Sequence, residues 1–125
     1  MGNAPIRNFR ELRVWQESHK LVLMVYRLTK KYPQDERFGL VDQSRRAAVS
    51  ITSNIAEGFG RGSAKDKKNF YLTAKASLAE LQNQLIIAKD LSYISEEEFL
   101  KTIEQSVVGD KLLTNFIKSA VDRAT

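Results

Sequence analysis

Three observations predict an all-α fold, an antiparallel up-down-up-down four-helix bundle, for this chain of 125 residues. Four stretches repeat apolar residues at spacings of three and four, and none alternates with the period of a strand. Only two prolines, at 5 and 33, interrupt the chain, which leaves long runs free for helix. Turn chemistry falls between the four stretches, at YPQDERFG, GFGRGS and LSYIS. Short links of this kind make consecutive helices antiparallel neighbours.

The elements follow in order. Residues 1–8 read as a flexible N-terminal arm, and residues 9–125 as one bundle domain. Helix 1 is expected from between Phe9 and Leu12 to Lys31, stopped by Pro33. Its middle, LVLMVY, is apolar on every side, whereas a bundle helix needs only one apolar stripe. The surplus marks Leu21, Val22, Met24, Val25 and Tyr26 as an interface between subunits. Helix 2 is expected from Phe38 to Phe59, closed by glycines 58, 60 and 62, which are able to take positive φ. Ser63 with Asp66 forms a capping box that opens helix 3, where Tyr71, Ala74, Leu78, Leu81, Leu85 and Ala88 keep strict 3-4 spacing. Ser95 with Glu98 is a second capping box, and Glu96 to Glu98 complement the dipole of helix 4. Helix 4 runs to about Asp122, with Phe99, Ile103, Val107, Leu113, Phe116, Ile117 and Ala120 as its apolar residues. Gly109 lies within it at a cost of ~1 kcal/mol relative to Ala, which calls for a close packing contact.

Composition excludes more than it names. There is no cysteine, so disulfides and thiolate metal sites are ruled out, and a cytoplasmic location is expected. The longest apolar run, Leu21 to Tyr26, is far short of the ~20 residues that span a bilayer, and the first residues lack a signal peptide's apolar core. No membrane partner is expected. His19 is the one histidine, with no Ser or Asp spaced to make a triad, and Glu17-x-His19 faces two directions on a helix. Neither a nucleophile nor a di-metal site is readable, so no catalytic residue, metal or cofactor is expected and the chain reads as a non-enzyme. GFGRGSAK lacks the spacing and the Lys-Ser/Thr ending of a Walker motif and follows a helix instead of a strand.

The stretch Asp42 to Arg61 carries two helical lines. Leu40, Ala47, Ile51, Ile55 and Gly58 form an apolar one; Gln43, Arg46, Ser50, Asn54 and Glu57 form a polar one of mostly short side chains. Short amides and hydroxyls suit a partly buried line, so Gln43, Arg46, Asn54 and Glu57 are expected to form a structural polar network with Glu80 or Lys75 of helix 3.

RRAAVSITSNIAEGFGRGS, followed by FYLTAKASLAELQNQL and LSYIS, resembles the 23S rRNA intervening-sequence protein family of bacterial four-helix bundles. VWQESHKLVLMVY and GLVDQ fit as well, so the resemblance runs from about Phe9 to about Ile117, with Asn54 to Gly58 its most specific part. Thr52 stands where the family often has Pro, and Ala76 where it often has Gly. The resemblance implies a homo-oligomer, a pentamer, without catalytic activity. It also implies a fold similar to the basic accessory protein of diversity-generating retroelements, a partner of a reverse transcriptase and nucleic acid.

Charge supplies the functional expectation. The net charge is +5, and up-down-up-down wiring divides it unevenly. One pole collects nine cations against four anions, among them Arg7, Arg10, Arg13, Arg61, Lys65, Lys67 and Lys68. The other holds four cations against seven anions. The seven named residues are therefore the candidate nucleic-acid-binding set, for RNA or DNA held through its phosphates with little sequence preference. The alternative is a protein–protein scaffold with no nucleic-acid ligand, whose partner is another protein.

Overall fold

A computed structural model describes residues 5–124, with side chains to residue 119. Four α-helices make up the fold: α1 (Arg13–Thr29), α2 (Asp42–Phe59), α3 (Ala64–Asp90) and α4 (Glu96–Ala124). The expected arm lies partly outside the described residues. Within residues 5–8, the Arg7 N–H donates to Glu11 Oε2 at 2.7 Å and Asn8 Oδ1 caps a short 3-10 turn, Phe9–Glu11.

Helix direction can be read from paired side chains. Along α3 and α4 the contacts are Tyr71 with Phe116, Lys75 with Asp110, Gln82 with Ser106 and Lys89 with Glu96. One number rises as the other falls, so the two helices are antiparallel. The same holds for α2 and α3 (Ser50 with Ser77, Gly58 with Tyr71) and for α1 and α4 (Glu17 with Gln105, Lys31 with Glu98). Each helix also packs against its neighbours in the chain, with α1 closing on α4. The starts of α1 and α3 and the ends of α2 and α4 thus share one pole.

The core is formed by the expected seams. Ile51 and Ile55 of α2 and Leu78, Leu81 and Leu85 of α3 are buried, with Leu21 and Val25 of α1 and Leu113 of α4. That burial corrects the reading of helix 1. Leu21, Val22 and Val25 point into the chain's own core and are closed to a second subunit. Met24 is half-buried, and the outward apolar residues of this stretch are Leu23 and Tyr26. Burial of Val14, Ser18, Leu21, Val22, Val25, Leu28 and Thr29 follows one face of α1, about a third of its circumference.

Other boundaries move for local reasons. Leu12 is extended (φ −75°, ψ 127°), which separates the 3-10 turn from α1. Helix 2 starts at Asp42 because Gly39 (φ −104°, ψ −109°) kinks the Arg37–Val41 turn out of helical geometry. Glu36 holds that turn, its carboxylate accepting from the Leu40 N–H and from the Tyr93 hydroxyl at 2.8 Å. In α4 the buried line is Thr102, Ser106, Gly109 and Leu113; Phe99, Ile103, Phe116 and Ile117 flank it half-buried. Val107 turns outward, and the side chain of Ala120 lies outside the described residues. Small residues let α4 approach α1 and α3, and its large residues close the seams on either side.

Candidate nucleic-acid interface

The α2–α3 turn is built by packing and not by glycine freedom. No glycine among the described residues has positive φ, and Gly60 is helical (φ −80°, ψ −6°). Gly58 is required for another reason: a Cβ there would lie 2.5 Å from Tyr71 Cε1. The methyl-free surface lets α2 close onto α3 and sets Arg61 beside the first turn of α3. Ser63 Oγ accepts from the Asp66 N–H at 3.1 Å and starts that helix.

Of the seven expected basic residues, five are presented and two are engaged. Arg7, Arg10, Arg13, Lys65 and Lys68 are exposed and form no ion pair among the described residues. The 3-10 turn carrying Arg10 packs against α2, which brings the two segments to one surface. Arg61 is paired with Glu57 at 3.0 Å and lies over the Phe70 ring. Lys67 departs most from expectation. Its Nζ donates to the carbonyls of Phe59 (2.7 Å) and Gly58 (3.3 Å), capping the C-terminus of α2, so its charge serves the helix dipole. Lys118, exposed near the end of α4, joins the presented set.

The aromatic residues nearby are not laid out for stacking on bases. Phe9 is half-buried, its ring edge-on to Trp15 at 5.4 Å, and Phe59 lies half-buried beneath Lys67. The pole is suited to phosphates more than to bases.

The polar network read into α2 does not form. Arg46 pairs with Asp42 of its own helix, Glu57 with Arg61, and Asn54 donates to the Ser50 carbonyl. Glu80 accepts from Gln84 within α3, Lys75 reaches across to Asp110 and Thr114 of α4, and Gln43 is exposed. Among the described residues one hydrogen bond between side chains crosses from α2 to α3, between Ser50 and Ser77 at 2.8 Å. The line runs along the outer edge of the bundle, where water replaces the partners that burial would have demanded.

Chemistry elsewhere is sparse. His19 stacks on Trp15 with ring centroids 4.7 Å apart. Glu17 is held below the usual carboxylate range by its hydrogen bonds to Lys20 and Gln105. Among the described residues no group of three or more His, Cys, Asp or Glu is placed to hold a metal ion, and no helix is long and apolar enough to cross a membrane.

The model of the 23S rRNA-intervening sequence protein family matches residues 10–115. The chain is also similar in structure to a protein of unknown function from the S23 ribosomal protein family of Bacteroides thetaiotaomicron. The TM-score is 0.78 at 25% identity, over 84% of this chain and 98% of that one. No curated protein matches.

Proposed function

Because the chain belongs to the 23S rRNA-intervening sequence protein family, we propose that it is a non-enzymatic homo-oligomer that binds RNA or DNA through its basic pole. The observation that carries this reading is the group of exposed cations at one end of the bundle that form no ion pair among the described residues: Arg7, Arg10, Arg13, Lys65, Lys68 and Lys118. At the opposite end Lys31 pairs with Glu98 and Lys89 with Glu96, Lys30 and Arg37 are exposed, and seven carboxylates outnumber the four cations. A cyclic assembly, which the family resemblance puts at five subunits, sets every basic pole on one face and adds their fields.

Binding to a duplex or single strand should weaken steeply with salt, the logarithm of affinity falling by about 0.7–0.9 per phosphate contact for each decade of salt. Fluorescence anisotropy with labelled RNA and DNA reads this directly. Changing Arg10, Lys65 and Lys68 to Ala should flatten the slope by about two to three units. The same changes at Lys30, Lys31 and Lys89 should leave it unaltered. Equal loss from both sets would mean diffuse attraction by net charge. No binding near physiological salt, with no absorbance at 260 nm carried through purification, would favour a protein–protein scaffold.

A further inference from the structure

Exposed large apolar side chains gather where α3 meets α4. On α3 the outermost line is Leu72, Ala76, Ala79, Asn83 and Ile86, with Leu72 43% and Ile86 45% accessible. It lies half a helical turn from the buried seam of the same helix. On α4, Leu100 (54%) and Val107 (39%) stand in the line that runs from Glu96 to Asp110. Both ends of that line are paired with α3, Glu96 with Lys89 and Asp110 with Lys75, so it follows the flank of α3. The Lys89 pair sets Leu100 near the height of Ile86, and the bond from Gln82 to Ser106 sets Val107 near that of Ala79. The large side chains of the two helices thus make one apolar surface.

The α3 line is symmetric about its own middle. Leu72 stands seven residues before Ala79, and Ile86 stands seven after it. The first charges on the line, Lys68 and Asp90, stand eleven residues before and eleven after, with opposite signs. At 1.5 Å per residue these distances are ~10 Å and ~16 Å in either direction. Neither charge has an ion-pair partner among the described residues. A helix face with this order is complementary to itself turned end over end.

We infer that this face binds the same face of a second copy of the chain, the two α3 helices running antiparallel across a two-fold axis at Ala79. Leu72 then packs against the second copy's Ile86, and Lys68 meets the second copy's Asp90, each pair occurring twice. The members of a pair share a height because they lie on one helix at equal distances from the axis. The axis keeps both α4 helices on one side of the contact, where Leu100 and Val107 of each copy widen it. Parallel packing would set Lys68 against Lys68 and Asp90 against Asp90, and like charges oppose it. Symmetry of size and of charge about one residue is what a copy of this chain requires of the surface, and an unrelated protein does not require it. The contact goes beyond the cyclic assembly proposed above. A two-fold contact closes on itself and is no step of a five-membered ring. It joins two chains, or one ring to another, with their basic poles pointing in opposite directions.

The chain has no cysteine, and Leu72, Ala79 and Ile86 are exposed, so single thiols there leave the core alone. Oxidised Ala79→Cys should run at twice the 14.2 kDa chain on non-reducing electrophoresis. Leu72→Cys and Ile86→Cys should each stay at the mass of one chain and cross-link only when co-expressed. Light scattering reads the charges: Asp90→Lys should lower the mass, and Asp90→Lys combined with Lys68→Asp should restore it. Cross-linking of Leu72→Cys with itself would mean parallel packing, which overturns the inference. An oligomeric wild type whose Ala79→Cys thiols stay free also overturns it and leaves the cyclic reading intact. Cross-linked Ala79→Cys in a protein no larger than a dimer supports the pair and removes the ring. A monomeric wild type removes both.

Discussion

At the scale of single residues, two helix glycines separate by what a methyl group would meet. At Gly58 it would meet Tyr71 at 2.5 Å and Phe70 Cβ at 3.0 Å, so Gly58→Ala should destabilise by about 1–3 kcal/mol through overpacking. At Gly109 the nearest atoms, Leu78 Cδ1 and Ser18 Oγ, are both 3.6 Å away, an ordinary contact. The close approach expected there is therefore absent, and Gly109→Ala should stabilise by up to about 1 kcal/mol through helix propensity. Thermal or urea unfolding of both variants checks the opposite signs. Tyr32 and Tyr71 carry the chain's alkaline limit. Burial pushes both phenols up to about 12 from an ordinary value of 10.0. The neutral phenol is the form the fold favours, so this stabilisation is whole below pH 10 and drains away as pH rises toward 12. Among the described residues the Tyr32 hydroxyl has no hydrogen-bond partner. Tyr32→Phe should therefore cost nothing at neutral pH and move the alkaline unfolding midpoint upward.

At the scale of elements, the α3–α4 link shows how a helix stops without glycine. Ser92 has φ 63°, the Tyr93 N–H donates to the Ala88 carbonyl, and the Ser92 N–H donates to that of Lys89. This is a Schellman ending with serine in the left-handed position, where a side chain costs about 1 kcal/mol. Ser92→Gly should raise stability by roughly that amount, read as a shift in the urea midpoint with unchanged slope. Much of the element layout was legible. The seam of α3 is the buried line, and the Ser95–Glu98 box forms in both directions, each backbone N–H donating to the other's side chain. What could not be read was which members of the run Leu21 to Tyr26 face inward: Leu21, Val22 and Val25 do, Leu23 and Tyr26 do not, and a run apolar on every side gives period nothing to rank. Thr102 and Ser106 were missed on the core face of α4 because they satisfy their hydroxyls on the preceding turn, at the carbonyls of Glu98 and Ile103. Such pairing lets polar residues be buried without any mark in the hydrophobic pattern.

At the scale of the whole molecule, the surfaces that hold the fold differ from the surface proposed for binding. Arg46 and Glu57, expected to be structural, are exposed and paired locally, Arg46 with Asp42 of the same helix and Glu57 with Arg61 of the turn that follows, so either change to Ala should move unfolding free energy by less than about 0.5 kcal/mol. Denaturant titration checks this, and a larger loss would mean that the α2 edge is buried by something besides solvent. The basic pole was legible because wiring alone brings distant cations together. The engagement of Lys67 was not, because it depends on where the last carbonyls of α2 point.

The chain also has a single tryptophan, Trp15, set between Phe9 and His19 in the first turn of α1. That position makes the protein its own optical sensor. Under the proposed binding, phosphates at Arg10 and Arg13 would change the field and the packing about one indole, whose emission would then report occupancy of this end without any attached dye. A shift in emission on adding RNA or DNA that is lost in Arg13→Ala and kept in Lys89→Ala would place the ligand at that end of the molecule.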